Sequence, residues 1–151
     1  MSGAALDVTL AMRRCALQAL YQMDASAGEA APGDDRSLVG VLGDEAGDAA
    51  RPDDVERGVR LAQAAWQHRH EADREIAALA REWPPHRQPV VDRNLLRLGW
   101  YELRHTGAPA PKVVSDAVEL AKEFGAAESG KFVNGVLDRV MHAGAGGAGE
   151  G

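Results

Sequence analysis

The sequence predicts an all-α fold built as one domain, and three observations lead to this prediction. Apolar residues recur at spacings of three and four along most of the chain, which is the pattern of amphipathic helices. No stretch alternates apolar and polar residues with the β-branched or aromatic enrichment that a half-buried strand needs. The length of 151 residues suits a single domain.

Two helical patterns occupy the first half of the chain. The first covers residues 7–23, and its apolar residues share one helix face. They are Met12, Cys15, Ala16, Ala19, Leu20 and Met23. The second covers residues 52–81, where we expect two helices with a break near residues 70–73. Pro84 and Pro85 end this pattern, because proline removes a backbone donor and disfavours helix in the residue before it.

The segment between these patterns carries most of the negative charge. Residues 25–56 contain nine acidic and two basic residues, a net charge of −7, whereas the whole chain has a formal charge of −6. The charge of the whole chain argues against a nucleic-acid-binding protein, which is usually basic, but its concentration in one segment weakens that argument. Because residues 25–51 are also rich in glycine and alanine, we expect a mobile acidic insert with one short helix.

Two further helices are predicted after the prolines. Apolar residues cover most of the circumference over residues 90–104, which is typical of a central helix packed on several sides. A loop follows, in which Pro109 and Pro111 act as helix breakers. The next helix begins at Lys112 and ends with Gly125 as its carboxyl-terminal cap.

A last helix and a tail complete the chain. Ser129 is expected to cap the last helix, so the helical domain covers residues 1–142. Residues 143–151 contain five glycines and no apolar anchor, and we expect this Gly/Ala-rich tail to be disordered. Its GAGGAG string has the glycine spacing of a dinucleotide-binding fingerprint, but no strand precedes it and no helix follows it. We therefore interpret the string as low-complexity sequence.

No residues form a recognisable catalytic or metal-binding motif. His68 and His70 lie two positions apart on a predicted helix, so their side chains point about 200° apart and cannot share one ion. The other histidines lack cysteine or carboxylate partners at ligand spacing; they are His86, His105 and His142. Cys15 lies in an apolar stripe and is interpreted as a small buried hydrophobe. We expect no metal, no cofactor and no enzymatic activity, and we favour a binding module.

The sequence also predicts a cytoplasmic location. A single cysteine cannot form an internal disulfide framework, which fits a reducing compartment. No apolar run approaches the roughly 20 residues of a membrane span, and the amino terminus lacks a basic segment followed by an apolar one.

Two segments resemble the NusB family of bacterial transcription antitermination factors. One is MRRCALQALYQMD at residues 12–24. The other covers residues 91–140 and includes the blocks LRLGWYEL, AVELAKEFG and KFVNGVLD. The resemblance implies a compact bundle of about six to seven helices in two packed helical subdomains, without catalytic activity.

The resemblance also implies a function and partners. Members of the NusB family bind the boxA element of nascent RNA together with a ribosomal small-subunit protein that acts as Nus factor E. This complex joins RNA polymerase and supports antitermination, notably on ribosomal RNA operons. Some relatives form homodimers through the RNA-binding face, so a homodimer is a further possibility for this chain.

Several residues match positions at or beside the RNA surface of the family. They are Arg13, Arg14, Phe124, Glu128, Lys131 and Phe132. Lys131 has a physical reason to bind phosphate, since it projects from the first turn of a helix whose free amides also attract anions. The two phenylalanines fit either stacking on unpaired bases or the apolar stripes of their helices.

The arginine-rich motif that opens the first helix in the family is reduced here to Arg13 and Arg14. These two arginines fit either phosphate contact or a solvated helix face. Their small number, together with the acidic insert, leaves an alternative open. In that alternative, the chain is a NusB-fold protein-interaction module with weak or lost RNA binding.

Two residues match the protein-partner face of the family, namely Tyr21 and Asp92. Asp92 would also stabilise the amino end of the central helix through the helix dipole. Asn134 and Gly135 are expected to be structural, because the amide can satisfy buried backbone groups and the glycine permits a close helix approach.

Overall fold

The computed structural model describes residues 7–26, 51–84 and 87–150, with only the backbone described at residues 145–150. Within these ranges the chain forms six α-helices and no strand, which confirms the predicted fold class. The helices are α1 (Leu10–Ala25), α2 (Pro52–Gln67), α3 (Arg69–Leu79), α4 (Val90–His105), α5 (Ala110–Phe124) and α6 (Ser129–Glu150). Most of the predicted acidic insert lies outside the described residues.

The chain divides into two compact units. Unit 1 spans Met1–Trp66 and contains α1 and, except for its last residue, α2. Unit 2 spans Gln67–Gly151 and contains α3 to α6. In the described part of the chain, no helix has the length and apolar character needed to cross a membrane.

In unit 1, the predicted first helix is confirmed. α1 begins after Thr9, whose hydroxyl accepts a hydrogen bond from the backbone N–H of Met12 at 3.2 Å. A Cβ atom built on Gly58 of α2 would lie 2.6 Å from the backbone oxygen of Met12 and 2.7 Å from the Cβ of Cys15. Glycine at position 58 therefore allows α1 and α2 to approach closely.

The break between α2 and α3 lies at His68, where the backbone φ of −100° and ψ of 9° interrupt the helix. The predicted break near residues 70–73 is therefore placed too late. Residues 67–71 are all polar and contain neither glycine nor proline, so apolar periodicity does not mark the break. α3 ends at Leu79, several residues before the prolines that were expected to end it.

In unit 2, α4 is the central helix, as predicted. It packs against α3, α5 and α6, and every residue from Asn94 to Trp100 is buried. A Cβ atom on Gly99 would lie 2.8 Å from the side chain of Leu137 in α6, so glycine leaves space for this leucine where the two helices meet.

Ion pairs and hydrogen bonds join α3 to α4. The guanidinium of Arg97 donates to both carboxylate oxygens of Asp73, at 2.9 and 2.8 Å. Arg104 donates to both carboxylate oxygens of Glu75, and the indole N–H of Trp100 donates to the same carboxylate at 2.9 Å. These contacts satisfy polar groups on a helix that is buried on most of its sides.

Both ends of α5 differ in detail from the prediction. Ala110 and Pro111 form the first turn, and Pro109 is the N-cap. Pro111 does not break the helix, because the first amides of a helix have no partner within it. Gly125 ends α5 as predicted, but its backbone is extended, with φ −97° and ψ −170°. Its small size is needed for space, since a Cβ atom there would lie 2.6 Å from the Oγ of Ser129.

α6 also begins and ends differently from the prediction. Ser129 is its first residue, and the hydroxyl of Ser129 accepts a hydrogen bond from the backbone N–H of Ala126 at 2.9 Å. This bond holds the turn between α5 and α6 instead of capping α6. The backbone stays helical to Glu150, unlike the disordered tail predicted over residues 143–151. Glycine weakens a helix by about 1 kcal/mol per residue relative to alanine, but it does not forbid one.

Candidate nucleic-acid interface

Four of the predicted RNA-binding residues lie together in unit 2, at the turn between α5 and α6. We call residues 124–132 the α5–α6 surface. Phe124 ends α5, Glu128 lies in the turn, and Lys131 and Phe132 lie in the first turn of α6. The backbone N–H of Phe132 donates to the carbonyl of Glu128 at 3.0 Å, which continues α6 directly from the turn.

Lys131 is the cation of this surface, and its side chain is 87% exposed. Its Nζ lies 4.0 Å from a carboxylate oxygen of Glu128, whose side chain is 80% exposed. Because such an exposed ion pair is weak, the ammonium group remains available to a phosphate. The amino end of α6 adds positive potential at the same place, whereas the carboxylate of Glu128 opposes an approaching anion.

Aromatic rings lie close to this lysine in the sequence, at Phe124 and Phe132. The ring of Phe132 packs on the indole of Trp83, with centroids 5.9 Å apart and planes inclined by 54°. Trp83 and Phe124 are exposed, and Phe132 is half-buried. The side-chain amide of Gln88 donates to the carbonyl of Trp83 at 3.0 Å and fixes the backbone there. Packing in the apolar stripes of α5 and α6 therefore explains the position of only part of each phenylalanine ring, because part of each residue stays exposed.

Arg13 and Arg14, the two predicted RNA-binding arginines, lie in unit 1 and have different environments. Arg13 is only 2% exposed, and its Nη1 donates to the carbonyl oxygen of Val8 at 2.8 Å. The sequence suggested that Arg13 either contacts phosphate or lies on a solvated helix face. Its burial fits neither suggestion, because its guanidinium is bound inside the protein. Arg14 is partly exposed and is therefore the member of the pair that is accessible from the solvent.

Tyr21 and Asp92, the predicted partner contacts, also differ in exposure. Tyr21 is 50% exposed on α1, so its ring is accessible to a partner. Asp92 is 3% exposed in the first turn of α4, and it accepts a hydrogen bond from the hydroxyl of Ser129. Burial raises the pKa of Asp92, and the bond from Ser129 offsets part of this effect. A direct partner contact does not fit this interior position, where Asp92 links α4 to α6.

The structural roles expected for Asn134 and Gly135 are wrong. Both residues are exposed on α6, and in the described part of the chain no atom beyond the neighbouring residues and the adjacent backbone of α6 lies within 4 Å of a Cβ built on Gly135. Close helix approaches are found instead at Gly58 and Gly99. Asn134 follows Lys131 by three positions, so it extends the exposed polar face of α6.

Cys15 is buried, as predicted, and its exposed fraction is 1%. Burial is the main reason why the pKa of its thiol is raised. The charge of Asp54 adds to the increase, and the charge of Arg14 opposes it. The protonated thiol therefore acts as a small hydrophobe and not as a nucleophile.

His68, Glu71 and His105 form a cluster of possible metal ligands in unit 2 that the sequence did not predict. One ligand atom from each of these residues lies within 4.8 Å of the others. The three-residue spacing of His68 and Glu71 was a visible signal, because such residues share a helix face. The approach of His105 was not visible, because it depends on how α3 packs against α4.

Comparisons with known proteins identify one family. The NusB family profile matches residues 10–142. The transcription antitermination protein NusB of Symbiobacterium thermophilum is 42% identical over 143 residues, and the match covers 91% of both chains. The structure of T. maritima NusB is 29% identical with a TM-score of 0.71, and the match covers 91% of this chain and 93% of that chain.

A crystal structure of the antitermination factors NusB and NusE in complex with double-stranded RNA is also similar. It is 29% identical, with a TM-score of 0.69 over 89% of this chain and 96% of that chain.

Proposed function

The chain belongs to the NusB family, and from this membership we propose that it binds boxA-type RNA together with the ribosomal small-subunit protein that acts as Nus factor E. This complex joins RNA polymerase in the cytoplasm and supports antitermination on ribosomal RNA operons. The family consists of transcription antitermination factors and not of enzymes, in agreement with the prediction from the sequence. The similar structure that contains NusB, NusE and RNA supports both partners.

The observation that carries the RNA half of this proposal is the exposure of Lys131 at the amino end of α6. An ammonium group there contacts a phosphate, and the free amides of the first helical turn add to the attraction. The partly exposed rings of Phe124 and Phe132 flank this cation in the sequence and offer faces on which unpaired bases stack. A cation with adjacent aromatic faces is the combination by which proteins hold single-stranded RNA.

Tyr21 is the residue through which we propose that unit 1 contributes to partner binding. Tyr21 is 50% exposed on α1, and a large exposed aromatic side chain is typical of a protein interface. Asp92 has an indirect role, because its bond with Ser129 helps to position the start of α6, which carries Lys131.

Charge reversal at Lys131 tests the proposal. Binding of a labelled boxA RNA is measured over a series of salt concentrations, with and without the ribosomal protein. The K131E variant is expected to bind about tenfold more weakly at low salt, because it loses one charge-assisted contact. The slope of log affinity against log salt is expected to fall by about one.

The matched control is R60E, which changes the net charge by the same amount. Arg60 is exposed on α2 of unit 1, where it pairs only weakly with Glu56 at 3.4 Å. R60E is expected to bind RNA nearly as well as the native protein. If the native protein shows no salt-sensitive binding of boxA RNA in either condition, the RNA half of the proposal is wrong.

A protein-interaction module with weak or lost RNA binding is the second candidate, and the burial of Arg13 favours it. Only Arg14 of the reduced arginine motif is accessible, so few phosphate contacts are available on α1. In this case the ribosomal protein binds, whereas K131E changes no measured affinity. The same titrations therefore distinguish the two candidates.

A further inference from the structure

We propose that His68, Glu71 and His105 form a binding site for a divalent transition-metal ion, with Zn²⁺ as the ion the site fits best. The three residues lie in unit 2, where His105 is distant in sequence from the other two. His68 lies at the break between α2 and α3, Glu71 lies in the first turn of α3, and His105 is the last residue of α4. The site is independent of the proposed RNA binding.

The distances between the three side chains suit one ion. The Nδ1 of His68 lies 3.0 Å from the Oε1 of Glu71, and the three potential ligand atoms lie within 4.8 Å of one another. Zinc bonds of about 2.0 to 2.2 Å at tetrahedral angles place neighbouring ligand atoms about 3.4 Å apart. His68 and Glu71 are close to this spacing, and His105 reaches it by a small rotation of its exposed side chain.

The set of donor atoms selects the class of ion. Two imidazoles and one carboxylate are a ligand set that zinc uses in proteins, with a water molecule in the fourth position. Calcium and magnesium prefer oxygen ligands alone, so the two histidines disfavour them. Cobalt, nickel and copper share the preference for imidazole, which makes cobalt a useful spectroscopic substitute.

Neighbouring rings hold the two imidazoles near each other. The rings of His68 and His105 are stacked with centroids 4.4 Å apart, and the ring of Tyr101 lies 5.4 Å from each of them. Trp100 packs its ring against His105 at 5.4 Å with planes inclined by 63°. This packing limits the freedom that the side chains lose when an ion binds, and such preorganisation strengthens binding.

A bound ion would connect the start of α3 to the end of α4. The contacts of Asp73 and Glu75 with α4 join the same two helices farther along α3. An ion that binds the folded state alone stabilises it in proportion to the logarithm of its concentration. Zinc is therefore expected to stabilise unit 2.

The experiment is zinc titration of the full-length protein without an affinity tag, after treatment with a chelator, by isothermal calorimetry. One equivalent of Zn²⁺ is expected to bind and to raise the thermal unfolding temperature. Loss of an outer-shell partner alone weakens metal binding by about 10- to 100-fold, so the loss of a ligand in H105A is expected to cost at least as much. E71Q is a milder second variant that is also expected to bind more weakly.

The control is H70A, which removes an exposed histidine two positions from His68 and outside the cluster. It is expected to bind zinc like the native protein. The Co²⁺ form is expected to show the visible absorption of a tetrahedral site without a thiolate charge-transfer band. Absence of zinc binding, equal affinity in native protein, E71Q and H105A, or a thiolate band from Cys15 would each overturn the proposal.

Discussion

The indole ring of Trp83 packs against the phenyl ring of Phe132, with centroids 5.9 Å apart and planes inclined by 54°. Trp83 lies in the segment between α3 and α4, whereas Phe132 lies in the first turn of α6. The pair therefore forms a partly exposed aromatic face in unit 2, and Phe132 follows Lys131 directly in the sequence. This arrangement combines a stacking surface with a cation, and the chemical function of each part can be tested separately.

Removal of the Phe132 ring is expected to weaken RNA binding without unfolding the protein. F132L keeps an apolar side chain but loses the aromatic face, and stacking of one base contributes about 1 to 3 kcal/mol. The affinity for boxA RNA should therefore fall by roughly 5- to 150-fold. Fluorescence of Trp83 offers a second measurement, because stacked RNA should quench it and W83F should lose that signal.

V90A is the control for this prediction, since it truncates an exposed apolar side chain that cannot stack on a base. It is expected to leave RNA affinity unchanged. An F132L protein that is folded by circular dichroism and binds RNA as tightly as the native protein would show that Phe132 does not stack on RNA.

Neutralisation of Glu128 is expected to strengthen RNA binding. The carboxylate of Glu128 lies 4.0 Å from the Nζ of Lys131, where it competes with phosphate for the ammonium group. Two unit charges at this distance interact by about 1 kcal/mol in water, so E128Q should raise the affinity by about two- to fivefold at low salt. The gain should disappear at high salt, because the pair is exposed and screened.

The matched control for E128Q is E119Q, which removes the same charge from an exposed position on α5. It should raise the affinity much less than E128Q. An equal increase in both variants would indicate a general effect of net charge rather than a local contact with Lys131.

Helical periodicity predicted the fold class, the first helix and the central helix, because each buries a continuous apolar face. It could not place the break at His68, where five consecutive polar residues carry no pattern. The conformation of Gly125 was also not predictable, since glycine is required there by the close Oγ of Ser129 and not by a left-handed turn. Such requirements depend on tertiary neighbours and not on local sequence.

The candidate site shows a similar limit. The exposure of Lys131 followed from its place in the first turn of a helix, but the burial of Arg13 did not follow from its charge. An arginine is buried when its guanidinium finds carbonyl or carboxylate partners, and the partner at Val8 is visible only in the folded chain. The cluster at His68, Glu71 and His105 was hidden for the same reason.

Loss of the pair between Arg97 and Asp73 is expected to destabilise unit 2 strongly. The side chain of Arg97 is 9% exposed and that of Asp73 is 24% exposed, so removing one partner leaves a poorly solvated charge. R97A should lower the free energy of unfolding by about 3 kcal/mol, as measured by urea denaturation. The exposed pair of Arg60 and Glu56 is the control, and R60A should cost less than about 0.5 kcal/mol. Comparable losses in both variants would contradict the importance of the buried pair.

The buried carboxyl of Asp92 is expected to make stability depend on pH. Burial raises the pKa of Asp92 in the folded state, and the carboxylate Oδ1 has no hydrogen-bond partner among the residues that the structure describes. When the pKa of a carboxyl group is higher in the folded state than in the unfolded state, the group favours folding most at a pH where it is protonated in both states. Its contribution is fully present below the unfolded pKa and is lost as the pH rises through the folded pKa.

D92N removes this titration while its side-chain oxygen can still accept the hydrogen bond from Ser129. Relative to the native protein, D92N should gain stability as the pH rises above the unfolded aspartate pKa of about 3.9 and through the raised pKa of Asp92 in the folded state. The amide that replaces Oδ1 in D92N can lack a hydrogen-bond partner, and this would lower the stability of the variant by the same amount at every pH. The informative quantity is therefore the slope of the free energy of unfolding against pH.

S129A provides a test in the opposite direction, because it removes the hydrogen bond that partly lowers the pKa of Asp92. Its stability should fall more steeply with rising pH than that of the native protein. Chemical denaturation of all three proteins across this pH range makes the comparison. Parallel curves for the native protein and D92N would mean that Asp92 has the same pKa in the folded and unfolded states.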